Sequence, residues 1–139
     1  AGNGSSGPVG DGGPATAAGL SIPRDVEAVP GGGYLIADSG TNRVRRVMPD
    51  GEILTLAGNG NFGVTGDGGP ATQAMFYDVR GVVAAPDGSV SIADTDASGI
   101  GRVRREYLAR ELGDDGIAVL RAVKAALDPN GIMNPGVLL

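Results

Sequence analysis

The segment LAGNGNFGVTGDGGPAT, residues 56–72, admits two readings, and the choice between them decides the fold. Gly58, Gly60 and Gly63 match the spacing G-x-G-x-x-G directly after an apolar run at 53–57, which is how a dinucleotide-binding turn opens. That reading requires a helix starting at the third glycine, because the pyrophosphate would rest on the free N–H groups of its first turn. Residues 64–70 read Val-Thr-Gly-Asp-Gly-Gly-Pro, and three glycines and a proline there strongly oppose a helix. Asp78 lies 20 residues past Gly58, where a ribose-binding acid would stand, but without the intervening helix the spacing is coincidental.

Sliding the chain against itself supplies the other reading. At an offset of 56, AGNGSSGPVGDGGPATAA (1–18) lies over AGNGNFGVTGDGGPATQA (57–74), so the glycine motif recurs as Gly2, Gly4 and Gly7. The match runs on through Arg24/Arg80, Val26/Val82, Ala28/Ala84 and the triplet at 36–38 over 92–94, with 21 of the first 38 positions identical. Such a period marks a repeat architecture, whose units must stack to bury their apolar faces. Within one period, β-prone segments at 25–29, 34–38, 43–48 and 53–57 are separated by turn chemistry at 30–33, 39–42 and 49–51. Four antiparallel strands joined by short turns are one propeller blade.

The string IADSGTNRVRRVMPDGEILTLAGNG (36–60) and the doubled GDGGPATxA resemble the NHL-repeat β-propellers, over about residues 1–97. The resemblance implies a mainly β fold, an incomplete propeller of about one and a half four-stranded antiparallel blades with Gly-rich loops. It implies a binding or scaffold module without catalysis of its own, its partner a protein or small ligand. A ring usually needs about four to eight blades, so the chain is expected to be a fragment, able to self-associate through uncovered blade edges.

After Asp94 the period breaks. Helix formers at 105–112 stop at Gly113, and Asp114 can cap a second helix reaching about Leu127, so a short α-helical tail is expected. The sequences GIGRVRREYLARELG and LRAVKAALDPNGIMNPGVLL resemble the extreme C-terminus of FAD-linked oxidases of the vanillyl-alcohol-oxidase type, over about 98–139. That resemblance implies the alternative: a truncated C-terminal piece of an FAD-linked oxidoreductase, inactive without its flavin-binding domain. The family's glycine segment usually reads S-G-E-H-G-I-G, and Ser98-Gly99-Ile100-Gly101 lacks the histidine. The run RVRR stands at 43–46 and again at 102–105, three residues out of register, so it suits either a blade's third strand or the oxidase's arginine run. Two segments, 1–97 and 98–139, are therefore expected, joined by natural fusion or by a joining error in the sequence itself.

Composition narrows the chemistry. The 139 residues carry a net charge of −5, which opposes a nucleic-acid surface, and no stretch has the length and apolar purity of a membrane span. Arg43, Arg45 and Arg46 read as a charged, solvated strand edge. There is no histidine and no cysteine, so a serine nucleophile lacks its customary base and a zinc site would need carboxylates alone. No catalytic, cofactor-binding or metal residue is therefore assigned, and no cofactor is expected outside the FAD-linked alternative. Asp38 and Asp94 recur after a strand, where they can accept backbone N–H bonds. Asp11 and Asp67 read as turn residues, or as contributors to an oxygen-ligand calcium site. Tyr34, Phe62, Phe76 and Tyr77 read as packing residues or as a recognition surface.

Overall fold

The computed structural model describes residues 1–95 in full and the backbone of 101–106. Eight strands are defined among the described residues: β1 (Gly13–Pro14), β2 (Pro23–Ala28), β3 (Tyr34–Asp38), β4 (Arg43–Val47), β5 (Glu52–Ala57), β6 (Val79–Ala84), β7 (Val90–Thr95) and β8 (Gly101–Glu106). All pair antiparallel, in two sheets ordered β1-β5-β4-β3-β2 and β6-β7-β8. The mainly β, antiparallel character expected from the strand signals is present, and the four expected strands of the first unit match β2 to β5 within two residues at each end. The two-residue strand β1, formed by the first glycine loop against Ile53 and Glu52, carries no propensity signal.

Alternation along the strands explains how the sheets stack. Leu35 and Ala37 of β3, Val44 of β4 and Ala57 of β5 face the second sheet. They are buried with Val79 and Val82 of β6, Val90 and Ile92 of β7, and Ala74 and Phe76 of the second glycine loop. The opposite face of the first sheet carries Ile36, Val47 and Ile53 and is partly roofed by Ala15 and Ala18 of the first glycine loop. Each glycine loop therefore lies on the face of the sheet that follows it.

The arginine run is resolved as strand β8, pairing Arg102 with Asp94 and Arg104 with Ile92 just as Arg43 pairs with Asp38 and Arg45 with Ile36. Four residues separate Asp38 from Arg43 and seven separate Asp94 from Arg102. The break in the sequence period is thus a three-residue insertion between paired strands, and the pairing survives it. This corrects the helix expected over 105–112 at its first turn, because Arg105 and Glu106 are in β8: the ladder with Ser91 and Val90 outweighs their helix propensity. The rest of that helix, and the one expected from Asp114 to Leu127, lie outside the described residues.

Candidate functional site

The two glycine loops are built alike, and matching backbone donors in each are engaged internally. Gly2 N–H donates to Ala15 O at 2.8 Å and Gly58 N–H to Ala71 O at 2.9 Å; Asn3 and Asn59 N–H donate to Ala18 and Ala74 O, each at 2.9 Å. The Asn3 and Asn59 side chains accept from Ser5 and Asn61 N–H at 2.8 Å. Gly63 N–H donates to Phe76 O at 3.3 Å, and the next element after it is a 3-10 turn, Ala71–Gln73. The glycines are needed for closeness: Gly10 (φ +97°) and Gly66 (φ +100°) would set a Cβ 2.8 and 2.7 Å from the Cα of Ala18 and Ala74.

A polar seam joins the sheets where β2 runs beside β6. The Ser39 hydroxyl donates to Asp78 Oδ1, Arg24 Nε lies 3.3 Å from the same oxygen, and Arg80 Nε lies 2.8 Å from Asp78 Oδ2. The Ser39 hydroxyl, helped by the two guanidinium groups and opposed by partial burial, holds the Asp78 carboxyl below its ordinary range. Val82 N–H donates to Asp25 Oδ2 at 2.9 Å, a second tie between the sheets. Sequence reading passed over this cluster. The signal was the recurrence of Arg24 and Arg80 one period apart, both aimed at an acid standing where the first unit has Ile22.

The third arrangement is buried. Arg45, expected at a solvated edge, is fully buried, because β4 lies inside its sheet and the side chain points under the first glycine loop. Its Nη2 lies 2.5 Å from Asp11 Oδ1 and its Nη1 3.9 Å from Asp38 Oδ2, while its Nε has no partner among the described residues. Asp11 thus anchors its loop to the sheet. Asp38 accepts from Ser21 N–H and the Thr41 hydroxyl, both at 2.7 Å. Asp94 repeats the role, accepting from Tyr77 and Asp78 N–H at 2.9 Å. The acids therefore tie down the residues that lead into β2 and β6, besides the turn. Among the aromatics Phe76 is buried, whereas Phe62 is exposed and meets Tyr77 edge-on with ring centroids 5.7 Å apart. Among the described residues no three His, Cys, Asp or Glu converge as a metal site.

Residues 66–138, more than half of the chain, match the family FAD linked oxidases, C-terminal domain. The chain is 49% identical over 41 residues to the mitochondrial D-lactate dehydrogenase [cytochrome] of Kluyveromyces lactis, covering 30% of this chain and 7% of that protein. It is 50% identical over 38 residues to D-2-hydroxyglutarate dehydrogenase of Stutzerimonas stutzeri, covering 27% and 8%. The chain thus spans less than a tenth of the length of these relatives. The PQQ-bound form of aldose sugar dehydrogenase from Streptomyces coelicolor is similar over 63% of this chain and 25% of its own, at 25% identity and a TM-score of 0.44.

These matches overturn two expectations. The NHL-type scaffold without catalysis gives way to the oxidase reading, and the expectation of no cofactor gives way to an FAD-linked family. The signal lay in the 98–139 tail, and the 56-residue period outweighed it because repeats fill more of the chain. The described residues do not themselves fit a flavin dinucleotide. The loop amides of Gly2, Asn3, Ser5, Gly58, Asn59, Asn61 and Gly63 are bonded to backbone and side-chain oxygens of their own loops. A cavity of about 760 Å³ beside the first glycine loop is rimmed by Asp50 and Glu52 with no Lys or Arg side chain, and Asp94 Oδ2, a buried atom of the second sheet with no partner among the described residues, is an acceptor. The match across residues 66–138 nevertheless fixes the family: this chain belongs to the FAD-linked oxidases, through their C-terminal domain.

Proposed function

We propose that this chain is a C-terminal piece of an FAD-linked oxidoreductase acting on 2-hydroxy acids, inactive without a flavin-binding domain. The family match over 66–138 carries the reading. The substrate class rests on the relatives, whose names share a 2-hydroxy acid: D-lactate, D-2-hydroxyglutarate and, for the Bacillus subtilis glycolate oxidase subunit GlcD, glycolate. Bound FAD would supply the two-electron acceptor, and the described residues contribute a scaffold with no group placed on the flavin. The test is complementation: the chain is co-expressed with GlcD shortened by its C-terminal segment, and flavin retention and glycolate-dependent dye reduction are measured. Restoration of both is expected. Activity no higher than that of the shortened subunit alone defeats the reading.

We infer also that the two sheets are successive propeller-like blades. Their antiparallel order and the packing of β2 beside β6 support it. The repeat and oxidase-like segments then overlap across the second sheet, since β6, β7 and β8 all fall within the family match over 66–138.

A further inference from the structure

The two units present the same face in different surroundings. In the second unit that face carries Val79, Val82, Val90 and Ile92, all at most 2% exposed because the first sheet covers them. One period earlier the same positions are Pro23, Val26, Tyr34 and Ile36. Pro23 is exposed, Val26 is 62% exposed and Tyr34 is half-buried, while Ile36 is buried in the cluster with Ala15 and Ala18 of the first glycine loop. Pro23, Val26, Tyr34 and Ile36 line, with Leu20 and Arg24, an open cavity of about 400 Å³. The backbone shows the same contrast. Val82 N–H reaches across to Asp25 Oδ2 of the neighbouring sheet at 2.9 Å, whereas Val26 N–H turns back to Asp25 Oδ1 of its own strand at 2.9 Å.

We propose that the outer face of the first sheet is a docking surface for one further sheet of this same repeat. That sheet presents small and aliphatic side chains at the positions of Leu35, Ala37, Val44 and Ala57, and an aspartate at the position of Asp25 to take the Val26 N–H. The occupant follows from the molecule itself, since the equivalent face of the second unit is closed by such a sheet, down to the carboxylate–amide bond. Repeat units bury their apolar faces only against neighbours of the same kind, and this face meets that description where an unrelated partner would have to imitate it.

The test extends the full chain by a second copy of residues 1–56 placed before Ala1, which recreates the Leu56–Ala57 junction as Leu56–Ala1. Amide exchange at Val26 is compared between the native-length and extended chains, with Val82 as the protected reference. In the extended chain Val26 exchange slows by about tenfold or more, and Val26→Glu cancels the gain while leaving the native-length chain unchanged. Because the added sheet brings its own Asp25 beside the original, a second extended chain carries Asp25→Gly in the original unit, reproducing Gly81, and is read at Val26 alone, since this change also removes the bond from Val82 N–H. Failure of both extended chains to protect Val26 overturns the proposal. Protection of Val26 that grows with concentration in the native-length chain also overturns it, by assigning the face to a second copy of the chain.

Discussion

The first and second units differ less in sequence than in what covers them. Val26 and Val82 are the same residue at the same repeat position, yet one is 62% and the other 2% exposed. Burial here is a property of stacking, which the local pattern of apolar residues cannot report. Substitution at the paired positions separates the contributions. Val82→Glu buries an unpaired carboxylate between the sheets and is expected to cost more than about 3 kcal/mol, whereas Val26→Glu stays within about 0.5 kcal/mol. Urea denaturation of both variants measures the difference, and equal losses would show that the sheets do not stack as described.

A second pair sharpens the contrast. Phe76 lies fully buried between the sheets and Leu20, its counterpart one period earlier, is only partly buried. Phe76→Ala is expected to lose about 3–5 kcal/mol through the cavity it leaves, and Leu20→Ala about 1 kcal/mol. The glycine loops reverse the logic, because they are equally crowded in both units. Gly10→Ala and Gly66→Ala each place a methyl against a neighbouring alanine at positive φ, so both are expected to cost about 1–3 kcal/mol, and by similar amounts. Thermal unfolding of the two variants checks this: a large inequality would mean that only one loop is held by its backbone bonds.

What the sequence disclosed and what it hid divide along the same line. The strands of the first unit were legible because apolar and β-branched residues alternate between turn residues, as in Tyr34–Asp38 and Glu52–Ala57. The third strand of the second unit was ambiguous, since the RVRR run is displaced by a three-residue insertion and is followed by helix formers. Pairing with β7 resolved it, a non-local contact with no mark in the local sequence. Arg45 was misplaced for a related reason. A guanidinium in a strand reads as solvated until the topology sets that strand inside a sheet and brings Asp11 over it from 34 residues away. The family membership was legible in the tail, and no geometry among the described residues duplicates that signal.

The seam between β2 and β6 offers the smallest and most specific contrast, because the first unit has no counterpart to Asp78. Its carboxyl is held below the ordinary value of 3.8, chiefly by the Ser39 hydroxyl and then by Arg80 and Arg24, against a burial cost of opposite sign. A carboxyl whose folded-state value is depressed stabilises the fold at any pH above its unfolded value. That contribution fades as the pH falls below 3.8 and on through the lower folded value. Asp78→Asn should therefore be less stable than the parent near neutral pH, and the gap should narrow steadily below about pH 4. Ser39→Ala removes the leading cause of the shift and should move the acid limb of the parent's stability profile toward higher pH. The arginines are partly exposed, at 42% for Arg24 and 56% for Arg80, so added salt should weaken their share and leave the hydroxyl's intact. A gap between parent and Asp78→Asn that stays constant from neutral pH into the acid range would show that Asp78 joins the sheets by shape alone and not by charge.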